Sequence, residues 1–227
     1  MTPPPADTSL PHGAAVGVVC AHPDDETFGL GAIITAMVAT GSHVALLSLT
    51  RGEDSTLGAG ADLATRRVDE LHAAAEALGI GRVVVGEHPD GALTQVPHDR
   101  LVDEVCTTLG DVEALLTFDH GGITGHPDHQ RATDVSIAAG RQLGIPVLGW
   151  ALPEPVAARL HEEFGGRFVG RSSTQLDHRI EVDRSRQHRA IGCHASQDNP
   201  VPRRRIELQG PDEYLRDLHL PDWHLPD

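Results

Sequence analysis

An α/β fold, with a mostly parallel sheet and helices on both faces in a single domain, is predicted by three observations. Short apolar runs alternate with segments of helical periodicity. The helical segments, about 10 to 17 residues each, are long enough for the crossovers that join parallel strands. No linker, repeat or low-complexity block divides the 227 residues. That length suits one domain that buries roughly 70 per cent of the surface of its unfolded chain.

Gly17 to Cys20 (GVVC) reads as a first strand that stops at the polar run AHPDDE. Thr27 to Val38 then carries small and apolar residues at helical spacing. His43 to Thr50, with VALLSL inside it, is a second buried strand, and Asp62 to Leu78 is a helix closed by Gly79. Arg82 to Val85 is a third strand, Asp99 to Leu109 a helix, Ala114 to Phe118 a fourth strand. Asp128 to Leu143 is a helix stopped by Gly144 with Pro146 beyond, and Val147 to Trp150 a fifth strand. From Pro153 to Asp227 the prolines and glycines break every pattern, and this stretch is expected to wrap the sheet and shape the rim of a site. Residues 1–13 (MTPPPADTSLPHG) lack the basic flank and apolar core of a secretory signal and read as a flexible leader. Residues 14–227 then form the domain.

Composition excludes several function classes. A formal charge of −15 argues against nucleic acid and anionic membranes, which need clustered positive charge. All 18 basic residues are Arg, so a Schiff-base lysine and the lysine of a phosphate-binding P-loop are both absent. No apolar run approaches the ~20 residues that span a bilayer. The three cysteines, Cys20, Cys106 and Cys193, are odd in number and far apart, which fits a reducing compartment and a cytoplasmic location.

The chemistry lies in two short segments, AHPDDE (Ala21 to Glu26) after the first strand and GHPDH (Gly125 to His129) after the fourth. Between the fourth strand and GHPDH runs a glycine-rich loop, Asp119 to Gly125. Open parallel sheets bind ligands at the carboxyl ends of their strands, so both segments sit on one edge and can meet there. Proline and carboxylates are also good helix starts. Capping does not explain why His precedes both caps, nor why a second His follows His126 by three residues. Together the segments supply His and Asp ligands for a divalent metal with carboxylates to spare, the parts of a metal-dependent hydrolase.

These residues resemble the metal-dependent de-N-acetylases similar to N-acetylglucosaminyl-phosphatidylinositol deacetylase, the LmbE-like or PIG-L family. The resemblance runs from about Val16 to Gln197, with weaker support from TRGE (Thr50 to Glu53), RVDEL (Arg67 to Leu71) and HASQ (His194 to Gln197). It implies a Rossmann-like fold, a zinc ion with ferrous iron as the alternative, and hydrolysis of an acetamide on an amino-sugar conjugate. By the same match His22, Asp25 and His129 are metal ligands. Asp24 is the general base toward the attacking water and later the acid toward the leaving amine. His126 stabilises the oxyanion as imidazolium, with Asp128 holding its ring.

Further substrate contacts are expected at Glu53, Arg67, Asp90 and His194. Each has a competing reading: a turn for Glu53 and for Asp90-Gly91, an i,i+3 pair with Glu70 for Arg67, and a structural role for His194. Some relatives place a tyrosine where this chain has Thr124, and the single Tyr214 is poorly suited to replace it. Aromatic residues that can stack on a sugar are few, chiefly Phe28, Trp150 and Trp223. Specificity is expected in the loops Asp54 to Gly60, Glu87 to Pro97 and Pro153 to Thr174. Two other readings stand beside the deacetylase: an amidase of a larger amide, told apart by its acyl product, and an inactive metal-binding homologue, which has no need of Asp24 and His126. The mixed C-terminal stretch leaves a homo-oligomer open.

Overall fold

The computed structural model describes residues 11, 13–58 and 60–220. Nearly all of the leader expected over residues 1–13, and Trp223, fall outside the described residues. Strand β1 (Ala15–Cys20) runs into a single helical turn, α1 (Asp25–Phe28), and then α2 (Gly31–Ala39). The one helix expected over Thr27 to Val38 is therefore broken. The break falls where Gly29 passes so close to Phe118 that a Cβ there would lie 2.4 Å from the ring.

Next come β2 (His43–Thr50), α3 (Leu63–Leu78), β3 (Arg82–His88), α4 (His98–Leu109) and β4 (Ala114–Phe118), close to the predicted bounds. Helix α3 ends as expected, on Gly79 at φ 88°, a left-handed conformation that needs a residue without Cβ. One turn, α5 (Gly122–Gly125), leads into α6 (Pro127–Leu143) and β5 (Val147–Trp150). Beyond lie β6 (Leu152–Pro153), α7 (Glu154–Phe164), β7 (Gly170–Arg171), β8 (His178–Glu181), α8 (Ser185–Ile191), α9 (Pro200–Gln209) and β9 (Asp212–His219).

Seven strands form one sheet in the order β3-β2-β1-β4-β5-β9-β8. The first five are parallel; β9 adds antiparallel to β5, and β8 antiparallel to β9. The stretch after Pro153 thus extends the sheet at its β5 edge as well as covering it. Strand order reverses between β1 and β4, the switch point at which doubly wound sheets open a crevice.

Alternation along the strands divides the core. Val16, Val18 and Cys20 of β1, with Val44 and Leu46 of β2, face α2, α3, α7 and α8. Val19 of β1 and Ala45, Leu47 and Leu49 of β2 face α4 and α6. Strands covered on both faces read as continuous apolar runs, which is why β1, β2 and β4 were legible in the sequence. No described helix is long and apolar enough to cross a membrane.

The C-terminal strands are clamped to the crevice by Glu213 on β9, which is fully buried. It accepts hydrogen bonds from Arg184 (2.5 Å), Arg205 (2.7 Å), Trp150 (2.7 Å) and Gln209 (2.5 Å). Burial pushes its carboxyl up, but the Arg205 and Arg184 guanidiniums outweigh burial and hold it below the ordinary glutamate value. Glu213→Ala leaves two buried guanidiniums without their anion, and is expected to cost about 3–5 kcal/mol in urea unfolding. Because the folded value is the lower one, this stabilisation is complete above the unfolded value of about 4.3 and is lost as pH falls through the folded value. A wild-type advantage over Glu213→Ala that persists undiminished at the acid end would contradict this assignment.

Candidate active site

The loop after β1 folds back on itself. Asp25 Oδ2 accepts hydrogen bonds from the backbone N–H groups of Ala21 (3.1 Å) and His22 (3.0 Å), so the carboxylate is fixed before any ligand arrives. Asp24 sits at φ 120°, a region that non-glycine residues rarely enter. Three contacts hold it there. Its N–H donates to Glu26 Oε2 (2.9 Å), Arg67 donates to its Oδ2 (3.1 Å), and Arg67 also donates to the Pro23 carbonyl (2.5 Å). Backbone strain at a site persists only when its surroundings over-determine it, as they do here.

Glu26 is 0% exposed and is gripped by Thr27 Oγ1 (2.5 Å) and His194 Nε2 (2.7 Å). His194, expected as a substrate contact, is itself 0% exposed and lies beneath the loop against Phe28, 5.6 Å between ring centroids. It anchors Glu26 and does not reach the cavity. The HASQ segment is thus a floor, and Glu26, read from sequence only as part of a helix start, is what it supports.

The loop after β4 supplies the other half. His126 is the N-cap of α6 and Pro127 its first residue, so the histidine is placed by helix geometry. The backbone N–H of Asp128 donates to His126 Nδ1 (3.2 Å). That nitrogen therefore carries a lone pair, and the ring presents Nε2–H. Burial and the neighbouring His129 and His22 hold the His126 value below that of a free imidazole. The imidazolium expected here gives way to a neutral ring. Nor does the Asp128 carboxylate hold it: Oδ2 accepts from Gly91 N–H (2.8 Å) and Oδ1 from Leu93 N–H (3.1 Å), tying α6 to the loop after β3.

Donor atoms of three residues approach one another between the loops. His22 Nδ1 lies 3.1 Å from His129 Nε2, His129 Nε2 lies 3.1 Å from Asp25 Oδ1, and His22 Nδ1 lies 3.8 Å from Asp25 Oδ2. Ligands about 2.0–2.1 Å from a tetrahedral ion are about 3.3 Å apart, and His129 Nε2 stands near that spacing from both His22 Nδ1 and Asp25 Oδ1; the described groups whose donor atoms all lie within 4.8 Å of one another are His22, His126 and His129, and His22, Asp90 and Asp128. The ring tautomers fit too. His129 Nδ1 donates to the Gly122 carbonyl (3.0 Å), leaving Nε2 with a lone pair. His22 Nε2 lies 3.0 Å from Asp90 Oδ1 and 3.5 Å from Asp128 Oδ2. Neither oxygen meets the angle of a directed hydrogen bond, and the nitrogen is buried without such a partner. Two carboxylates there still favour a proton on Nε2 and a free Nδ1.

The electrostatics suit a cation. Burial lowers the His22 imidazole, but Asp128, Asp90 and Asp25 outweigh it and push it up to about 10. Burial raises Asp25, but His129 and His22 hold it well below the usual carboxylate range. Burial, with the Asp25 charge adding to it against Arg67, pushes Asp24 up to about 7.

The remaining expected contacts sort differently. Arg67 is 3% exposed and donates to the carbonyls of Gly52 (2.6 Å) and Pro23 and to Asp24, while Glu70 binds Ser196 instead (2.8 and 2.6 Å). It lines the cavity chiefly as a brace for Asp24. Asp90 braces His22 and accepts from Asp54 N–H (3.0 Å). Glu53, expected against the substrate, is exposed and accepts from Asp90 N–H (3.0 Å), capping that turn outside the cavity. Asp119, directly after β4, had no expected role. It binds Arg171 (2.5 Å) and Arg216 (2.7 Å), and Arg171 also reaches the His120 carbonyl (2.6 Å), clasping the glycine-rich loop to β7 and β9.

Within that loop Gly122 sits at φ 59°, and a Cβ there would lie 2.5 Å from that of His129. Gly122→Ala must displace His129 and the carbonyl that sets its tautomer. The expected outcome is a 10- to 100-fold loss of metal affinity at near-wild-type helix content, read by equilibrium metal titration and circular dichroism. Unchanged affinity would remove the carbonyl from the site.

A cavity of about 420 Å³ opens over these groups, lined by His22, Asp24, Asp25, His126 and His129 together with residues of the loops around them. Several solved structures share the fold. A deacetylase of the A40926 pseudoaglycone, Dbv21, aligns at a TM-score of 0.66 with 19% identity, over 91% of this chain and 97% of that one. The N,N'-diacetylchitobiose deacetylase from Pyrococcus horikoshii aligns at 0.64 with 18% identity, over 93% and 88%. Among curated proteins, the 1D-myo-inositol 2-acetamido-2-deoxy-alpha-D-glucopyranoside deacetylase of Salinispora arenicola is 33% identical over 161 residues, 58% of this chain and 52% of that protein. Its counterpart in Streptomyces griseus is 32% identical over 168 residues, 62% and 52%. The chain thus spans about half the length of the curated relatives it matches. Residues 17–139, which carry both motifs and the strands that bring them together, match the GlcNAc-PI de-N-acetylase family, PIG-L, and the chain belongs to that family.

Proposed function

We propose that this chain is a metal-dependent hydrolase that removes the N-acetyl group from an N-acetylglucosaminyl conjugate. The reading rests on one observation above all: the convergence of His22 Nδ1, Asp25 and His129 Nε2 beside Asp24. These three residues would hold the ion, with zinc the preferred metal and ferrous iron the alternative. A divalent ion there supplies Lewis acidity to the amide carbonyl and to the attacking water. The negative charge and three free cysteines accord with a cytoplasmic enzyme acting on an amino-sugar conjugate.

The protein groups divide the work by their partners. Asp24 Oδ2 is held by Arg67, and Oδ1 has no hydrogen bond to a described residue, so this oxygen is placed to take a proton from water and pass it to the departing nitrogen. Of the neighbouring carboxylates, Asp128 accepts a backbone N–H on each oxygen, while Asp25 and Asp90 each accept on Oδ2 and turn Oδ1 toward a histidine ring, Asp25 to His129 and Asp90 to His22. His126, neutral with its proton on Nε2, donates to the oxyanion as charge develops. Asp90 and Asp128 orient His22, and the Gly122 carbonyl orients His129. An inactive metal binder has no use for the oriented Nε2–H of His126 or for the strained Asp24.

The test is release of acetate and free amine from N-acetylglucosaminyl glycosides and inositol conjugates, with zinc or ferrous iron supplied and the metal content measured on the same sample. Turnover that a chelator abolishes and either metal restores supports the reading. Tight metal binding without turnover on any amide would favour the inactive homologue.

A further inference from the structure

The loop that carries Asp24 rests on side chains distant from it in sequence. Helix α1 is a single turn, too short to satisfy its own carbonyls, and buried side chains of the C-terminal stretch take up its polar groups. Gln187 donates to the Thr27 carbonyl (3.0 Å) and Arg205 to the Phe28 carbonyl (2.8 Å). These two hold backbone. The third, His194, holds a side chain instead, with its Nε2 at 2.7 Å from Glu26 Oε1.

Glu26 then passes that restraint to the catalytic loop. Its Oε2 accepts from Asp24 N–H (2.9 Å) and its Oε1 from Thr27 Oγ1 (2.5 Å), so the His194 ring nitrogen is the donor of its own contact. Arg67 holds the Asp24 carboxylate and the Pro23 carbonyl from the opposite side. Glu26 takes the N–H of the residue whose backbone is strained.

Packing alone does not account for the imidazole. His194 is buried against Phe28, and its Nδ1 has no hydrogen-bond partner among the described residues. A half-satisfied polar ring is a poorer filler of a buried site than an apolar side chain of similar size. What an apolar filler lacks is the donor that fixes how the Glu26 carboxylate is turned.

We propose that His194 is a positioning residue for Asp24, acting through Glu26. The imidazole sets the Glu26 carboxylate, and the carboxylate sets the strained backbone from which the base projects. His194 itself is not part of the cavity lining. The inference rests on the reading of Asp24 as general base.

The experiment compares His194→Gln with His194→Met, side chains of similar length of which only the first can donate to Glu26. Acetate release from an N-acetylglucosaminyl glycoside and metal content are measured for each, with Asp24 present and in the Asp24→Asn background. His194→Met should lose about 10- to 100-fold in kcat, the cost of misplacing a reacting group by about 1 Å, with KM within about twofold and metal content unchanged. His194→Gln should recover most of that loss. In the Asp24→Asn background His194→Met should cost less than about threefold, because the group it positions is already gone. Thr27→Val, which withdraws the other donor from Glu26 Oε1, should show the same dependence on Asp24 with His194 intact. Equal losses in both backgrounds would overturn the proposal, as would loss of metal from His194→Met or equal activity of the Gln and Met variants. Turnover of Asp24→Asn within about tenfold of wild type would instead sink the base assignment on which the proposal stands.

Discussion

Asp24→Asn is expected to keep its fold and its metal and to lose about 10²- to 10⁴-fold in kcat, the range a positioned general acid–base supplies. The substitution preserves shape, and asparagine tolerates the left-handed backbone at this position at least as well as aspartate. It removes the proton acceptor and the charge that faces Arg67, while the asparagine amide oxygen can still accept from that guanidinium. Around the three clustered histidines, Asp24 lines the cavity with an oxygen that faces no imidazole and no described donor, while Asp128 is held on both oxygens and Asp25 and Asp90 each turn one oxygen to a histidine ring. Steady-state kinetics with metal analysis of the same preparation decides the matter. A variant with full metal and turnover within tenfold of wild type would move the base to another group.

The second large effect separates ligand from catalyst. The rings of His22, His126 and His129 have centroids 5.0 to 5.1 Å apart, close enough that their nitrogens alone could hold an ion. The hydrogen bonds argue for a different division. His126 accepts from Asp128 N–H, whereas His22 and His129 direct free nitrogens toward Asp25. His22→Ala should therefore lose both bound metal and activity. His126→Ala should retain stoichiometric metal and lose about 10²- to 10³-fold in kcat, the usual cost of removing one oxyanion donor. If the ion is lost from His126→Ala, the three-histidine arrangement is correct.

How much of this was readable in the chain depends on how local each cause is. The five parallel strands were, most plainly β1, β2 and β4, which are buried on both faces and read as continuous apolar runs bounded by turns. So were the two motifs, their position at strand ends and the residue types that meet. The single helix expected from Thr27 to Val38 was misread because its interruption at Gly29 comes from the distant Phe118 ring. His194 looked like a site residue because it opens the HASQ match, and nothing nearby in sequence shows that it pairs with Glu26, 168 positions away, beneath the loop. Glu53 and Asp128 kept their places in sequence but turned their carboxylates to other partners, both in the loop after β3. The antiparallel strands β8 and β9 were missed because their residues are mixed, pairing at an edge that no local pattern announces.

By itself, then, the sequence determined the sheet that carries the site and the set of imidazoles and carboxylates at its carboxyl edge, because strand burial and helix starts are written in residues a few positions apart. Tertiary structure decided which nitrogen of each ring is free and which carboxylate keeps an open oxygen. Those depend on groups from separate crossovers, such as the Gly122 carbonyl behind His129 and Asp90 behind His22. Direction at a site is set by what stands behind each side chain, and that becomes fixed only when the sheet has closed.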